Sequence, residues 1–233
     1  MAYFGVARRR GRVPPVPIGH GKKRTGRAGF AVVDCETTGL SPSRDRIIEI
    51  GVVLLDDSGG AEGEWSSLVN PGRPVSAQFI HGLSDDDVAD APSFAEILPT
   101  LVPLLRGRSI VAHNARFDIA FLNAAFDRSS YPLTFPLDAA VCTMELSKIY
   151  LPAGRHSLLE AAQRAGIRAH RHHRALADAW TAAELLRAYL TAEENGVRYL
   201  PQAISRDGRV MLPAAWVDAQ ERAARIAWPD SLL

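Results

Sequence analysis

The chain has 233 residues, enough for one domain with a sizeable core plus extensions, and its 47% apolar and 23% charged residues are those of a water-soluble globular protein. No apolar run is long enough to span a bilayer and the N-terminus lacks the apolar segment of a signal peptide, so the sequence reads as cytoplasmic, with no membrane partner. A net charge of +1 hides an asymmetry: residues 1–27 carry eight Lys/Arg and no acid, which leaves 19 basic against 26 acidic groups, or −7, on the other 206 residues.

In chain order, the basic Gly/Pro-rich stretch of residues 1–27 predicts a disordered tail that adds weak, salt-sensitive attraction to nucleic acid. Phe30–Val33 predicts a buried strand running into a turn at Asp34–Gly39. Arg46–Leu55 predicts a second strand ended by the turn signal DDSGG, and Glu64–Val69 a third, stopped by Asn70-Pro71-Gly72. These three are expected to be antiparallel neighbours. Ser93 with Glu96 forms a capping box that opens a helix to Leu105. A fourth strand follows at Ser109–Ala112, then a helix over Arg116–Phe126 and a fifth strand at Leu137–Val141. Ser157 with Glu160 is a second capping box, opening a short helix closed by Gly166. Ala175–Glu193 is a long Ala/Leu-rich helix. Strands in a meander, then alternating with helices, predict an α/β fold with a mixed sheet covered by helices. The domain is expected over residues 28–193. Residues 194–233 form an extension with a short helix around Asp218–Ile226, and its Tyr199, Leu200, Met211, Leu212, Trp216, Ile226 and Trp228 are too much apolar surface to leave in water. That extension packs on the domain or docks a partner.

Four acids stand on faces they share with apolar residues; the Asp34/Glu36 pair alone is weak evidence of a site, and Asp118 or Asp178 alone reads as a surface salt bridge. In the segment AVVDCETTGL, Asp34 and Glu36 lie two apart on a strand, so both point to one face about 7 Å apart, while Cys35 points the other way into packing. In HNARFDIAFL, Asp118 shares a helical face with Phe121 and Leu122, beside the core. In HRALADAWTAAELL, Asp178 lines up with Ala182 and Leu185. Acids on buried faces need a partner, and a set of oxygen ligands suits Mg²⁺ or Mn²⁺. Cys35 and Cys142 show no zinc-type spacing.

The order and the neighbours of these acids resemble the DnaQ-like, or DEDDh, 3′–5′ exonucleases, and within them the polymerase III epsilon-type proofreading group. The shared motifs are DxETTGL at Asp34–Leu40, IHGLS at Ile80–Ser84, HNAxFDxxFL at His113–Leu122 and HxAxxD at His173–Asp178. The resemblance implies an RNase H-like fold, a five-stranded mixed sheet with helices on both faces. It implies two divalent cations, with Asp34 bridging them, Glu36 and Asp178 on the first, and Asp118 supporting the second through water. It implies a general base five residues before the last acid, which is His173; Arg174 stands where the tyrosine-using branch of the family has its tyrosine. His170 and His172 are expected to form a solvated lid beside it.

By the same resemblance Thr37, Thr38, Gly39 and Leu40 grip the 3′-terminal nucleotide, with the leucine against the terminal base, and stacking of that kind tolerates any sequence. His81, His113, Asn114 and Phe117 are further candidates for substrate contact, with turn or structural roles as the alternative for His81 and Asn114. His156 reads as structural. The expected substrate is a single-stranded 3′ end, DNA first and RNA as the alternative. Since the chain shows no polymerase or helicase motif, any proofreading partner acts in trans.

Overall fold

The computed structural model describes residues 27–169 and 174–229. The basic tail through residue 26 and the stretch holding His170, His172 and the expected base His173 lie outside the described residues. Five strands form one sheet in the order β3-β2-β1-β4-β5: β1 (Phe30–Thr37), β2 (Ile47–Leu55), β3 (Ala61–Leu68), β4 (Ser109–Ala112) and β5 (Ala140–Cys142). The first three are antiparallel neighbours, and β4 and β5 run parallel to β1. This is the mixed sheet expected of an RNase H-like fold. β2, IIEIGVVLL, is buried along its whole length, which is why its apolar residues do not alternate: both faces of the sheet are covered.

Helices divide between those faces. After the short α1 (Gln78–His81) and α2 (Asp85–Val88) come α3 (Phe94–Leu105) and α4 (Ala115–Arg128). Leu101 of α3 and Phe121 and Leu122 of α4 pack on Ala31, Val33 and Cys35. On the other face α5 (Thr143–Tyr150), α6 (Leu158–Arg164) and α7 (Ala175–Glu194) bring Leu146, Ala161, Ala182 and Leu185 against Phe30 and Val32. The period of two thus sorts β1: odd positions face α3 and α4, even positions face α7. Asp34 and Glu36 continue the even row.

The structure departs from the sequence reading in several places. β1 runs on through Thr37, so both acids lie within the strand rather than in a turn, because β2 keeps pairing with them at Asp34↔Gly51 and Glu36↔Glu49. The fifth strand is only Ala140–Cys142, preceded by a 3₁₀ turn over Leu137–Ala139, since the four-residue β4 offers it only three rungs. Helix α5 carries no clear sequence signal, its polar and β-favouring side chains masking the helical period. The capping box expected at Ser157 does not form; Ser157 caps α6 without a side-chain bond, while Glu160 Oε1 lies 3.5 Å from Arg155 Nη1.

The chain beyond α7 forms a small hairpin, β6 (Ala203–Ile204) with β7 (Val210–Met211), and α8 (Trp216–Ala223). Trp216 is buried with its ring 5.6 Å from Tyr150, whose hydroxyl accepts from Ala214 N at 2.8 Å. Gln220 Nε2 donates to Ala28 O at 2.5 Å and Arg106 Nη2 to Pro229 O at 2.6 Å. Tyr199, Leu200 and Leu212 remain exposed. Among the described residues no helix is long and apolar enough to cross a membrane.

Candidate active site

The end of β1 is where the acids meet. Carboxylate oxygens of Asp34, Glu36 and Asp178 all lie within 4.8 Å of one another. Two arrive on the even face of β1 and the third on the first turn of α7, which crosses that face. Asp118 comes from the other layer. β4 pairs with β1 only as far as Val32↔Val111, and beyond that rung the Cys35 N–H donates to Asp118 Oδ1 at 3.2 Å. Asp118 is therefore at the edge of β1, outside the tight triplet but within its field. Cys35 itself is buried in the α3/α4 core, as the alternation of side chains requires.

The electrostatics follow from that crowding. Burial raises the Asp34 carboxyl well above the usual carboxylate range, and the charges of Asp118, Asp178, Glu36 and Glu49 push it further the same way. Burial raises Asp118 to about 8, partly opposed by the amide hydrogen bond from Cys35 and reinforced by Glu36. Acids that hold their protons this strongly lie where a second positive charge is most needed. The donor set is entirely oxygen, so the cluster fits a divalent metal cation.

Beside the acids lies a tightly bonded turn. Thr37 Oγ1 donates to Gly39 O at 2.7 Å, and Thr38 Oγ1 accepts from Arg46 N at 3.1 Å while lying 3.3 Å from Asp45 Oδ1. A Cβ on Gly39 would fall 2.6 Å from Asp45 Oδ2, so a side chain here would push aside the carboxylate that accepts from Thr38 Oγ1 and Ser41 N. The turn holds Leu40 out at 83% exposure. Ser76 Oγ donates to Thr38 O, which fastens the segment leading into α1 to the same turn, and α1 presents Phe79 at 91% exposure. Phe79 has no place in the sequence reading; its only signal is an apolar pair with Ile80 in a polar stretch.

Two of the expected substrate contacts have other occupations. His81 is buried, with Nδ1 accepting from Leu83 N at 3.1 Å and Nε2 donating to Ser76 O at 3.0 Å, so it braces the turn. His113 is buried as well: Nε2 donates to His156 O at 2.9 Å, and Nδ1 accepts from Thr143 Oγ1 at 3.0 Å. Both nitrogens being engaged inside the fold, burial drives His113 down to about 4, a neutral structural residue and not a polar contact to substrate. Asn114 stands at the N-cap of α4 without a capping bond, and Phe117 is half-buried against Phe121 at 4.7 Å. His156, tied through Nδ1 to Ser147 Oγ at 2.6 Å, belongs to the same structural set.

Sequence reasoning has no place for Glu49 either. It lies opposite Glu36 and is 3% exposed. Arg174 grips it with Nη2 at 2.7 Å from Oε1 and Nε at 3.1 Å from each oxygen, and Ala175 N donates to Oε2 at 3.2 Å. The available signal was an acid inside the apolar run Ile47–Leu55, a position that demands a buried partner.

A family model described as "Exonuclease", of the RNase T group, matches residues 31–186. The chain is 36% identical over 175 residues to the DNA polymerase III subunit epsilon of Treponema pallidum, covering 72% of this chain and 80% of that protein. It is 33% identical over 174 residues to the PolC-type DNA polymerase III of Bacillus subtilis, covering 73% of this chain but 12% of that one. Among solved structures, E. coli exonuclease I in complex with a dT13 oligonucleotide aligns with TM-score 0.63 at 17% identity, over 72% of this chain and 42% of the other. The chain therefore spans a small part of the PolC relatives and under half of exonuclease I.

Proposed function

This chain belongs to the exonuclease family, and on that premise we propose that it removes nucleotides one at a time from the 3′ end of single-stranded nucleic acid, DNA by preference. The observation that carries this reading is the convergence of Asp34, Glu36 and Asp178 within 4.8 Å, with Asp118 bonded to the backbone between the first two. These residues would hold two divalent cations, which when bound supply charge for both the attacking and the leaving oxygen of a phosphodiester displacement. Asp34, the acid that feels the charge of all the others, would help to hold both cations, with Glu36 and Asp178 joining it for one and Asp118 for the other.

The chain's own groups do the rest. His173 takes the proton from the attacking water, since an imidazole titrates near working pH. The bonded turn Thr37–Leu40 lays backbone amides and an exposed leucine against the terminal nucleotide, a contact indifferent to base identity. The preference for DNA is supported by the epsilon and PolC relatives, both DNA polymerase III components by name, and by the oligonucleotide complexes of exonuclease I. The epsilon and PolC relatives support work with a polymerase, and the family match over residues 31–186 supports residues 28–193 as the catalytic domain; residues 1–27 are read as a recruiting tail from their eight basic groups and residues 194–233 as a packed extension from buried Trp216 and the Gln220 bond to Ala28.

The test is digestion of 3′-labelled and 5′-labelled DNA and RNA oligomers with Mg²⁺, with Mn²⁺ and with a chelator. Release of a labelled mononucleotide first from the 3′ label, abolished by chelation and faster on DNA, is expected. Faster release from RNA would make the chain an RNA 3′-end trimming enzyme, and full activity in the chelator would overturn the metal reading.

A further inference from the structure

The start of α7 is docked onto β2 by two devices. One is steric. A Cβ on Gly51 would lie 2.5 Å from Leu176 Cα, and Gly51 is the residue paired with Asp34, so the helix passes directly over the strand that backs the first acid. The other is polar. Glu49, two residues earlier and on the same face of β2, accepts from the Ala175 amide and from both Nε and Nη2 of Arg174. One carboxylate thereby holds both the backbone and the side chain of the helix entry, one turn before Asp178.

We propose that Glu49 and Arg174 are positioning residues for catalysis: their forked ion pair latches the first turn of α7 to β2, which delivers Asp178 to Asp34 and Glu36. The inference rests on the active-site reading above and extends it to a pair that touches neither substrate nor metal. The fork matters because a planar guanidinium bound through two nitrogens fixes direction as well as distance, which a lysine ammonium does not. Glu49 is also one more negative charge in a crowded site, so a purely electrostatic role is the rival account, and the two differ in sign.

The experiment compares Glu49→Gln, Arg174→Gln and the double variant of the full chain. Mn²⁺ affinity is measured by titration calorimetry, and kcat and KM on a 3′-labelled oligomer, all well below each variant's melting temperature. If the pair acts only through charge, Glu49→Gln weakens Mn²⁺ binding and Arg174→Gln tightens it. The latch predicts that both single variants weaken Mn²⁺ binding and both lower kcat by about 10-fold or more, in the range seen when residues that orient metal-holding side chains are lost. Oligomer KM should stay within about twofold, and the double variant should be no worse than the poorer single, since either change opens the same latch. Arg174→Lys, which keeps the charge without the fork, should recover only part of the rate. Opposite signs for the two singles, additive losses in the double variant, or kcat unchanged in either single would overturn the latch. Asp34→Asn is run alongside: if it keeps its activity, the active-site reading itself fails, whatever the latch variants do.

Discussion

Without metal, the acid cluster should make the protein less stable as pH rises through neutrality. Asp118 is 4% exposed and its carboxyl is raised from an ordinary 3.8 to about 8. Because the folded value lies above the unfolded one, the folded form keeps a proton that the unfolded chain has lost. Its contribution to stability is complete below the unfolded value and is lost as pH climbs through the folded one. Each retained proton is worth about 1.4 kcal/mol per pH unit in that window. His113 works the other way, lowered from 6.5 to about 4, but its opposing slope ends near pH 6.5, above which the ring is neutral in both states. Between pH 6.5 and 8 the Asp118 effect therefore stands clear, at roughly 1.5 to 2 kcal/mol, and the raised Asp34 adds in the same direction. For a domain of this size that is a fall in Tm of about 3 to 8 °C. The assay is thermal melting of the chelated protein across that pH window, repeated at saturating Mn²⁺ and with Asp118→Asn, whose remaining carbonyl still accepts from the Cys35 amide. The chelated wild type should lose stability with pH, and both Mn²⁺ and Asp118→Asn should flatten the slope. A chelated Tm that is constant or rises over the window, or an Asp118→Asn variant with the wild-type slope, would refute the reasoning.

Other expectations concern single side chains and the ends of the chain. Asp34→Asn should lower kcat by several orders of magnitude, whereas Cys35→Ala, which alters only the α3/α4 core, should keep activity; paired rate measurements decide, and a folded but inactive Cys35→Ala would reverse the face assignment of β1. His173→Ala should lose about 10²–10⁴-fold in kcat with little change in KM, while His172→Ala keeps most of the rate, and an inactive His172→Ala would shift the register of the last motif. Leu40→Ala should raise KM more than it lowers kcat, because it removes an exposed packing surface and no charge; equal KM would remove the residue from the substrate site. Deleting residues 1–26 should raise KM on long oligomers at low salt only, and deleting residues 196–233, which removes the buried Trp216 and the Gln220 bond to Ala28, should lower Tm.

What could be read from the sequence was set by periodicity. The spacing of Asp34, Glu36, Asp118 and Asp178 puts them on largely apolar faces, and the resemblance of the motifs around them is what marks them as one site. The strand lengths were less legible: β1 extends through Thr37 only because β2 continues beside it, which is a property of the pair. Glu49 and Arg174 are 125 residues apart, and nothing local to either announces the other. The bonding of His81 and His113 was hidden for the same reason, since what a ring nitrogen faces is decided by backbone and side-chain groups that only the folded chain brings near.

The acids are drawn from both layers of the fold, Asp178 from α7 on one face of the sheet and Asp118 from α4 on the other, and they meet only across the end of β1. The site is thus a gauge of how the two layers sit relative to each other. A cavity on either side, such as Phe121→Ala under α4 or Leu185→Ala under α7, lets one layer settle by a fraction of an ångström, and catalysis registers that slip while the protein is still folded. Activity in this architecture should therefore report core packing as well as melting temperature does, and variants isolated for lost activity should map to the two hydrophobic layers as well as to the acids between them.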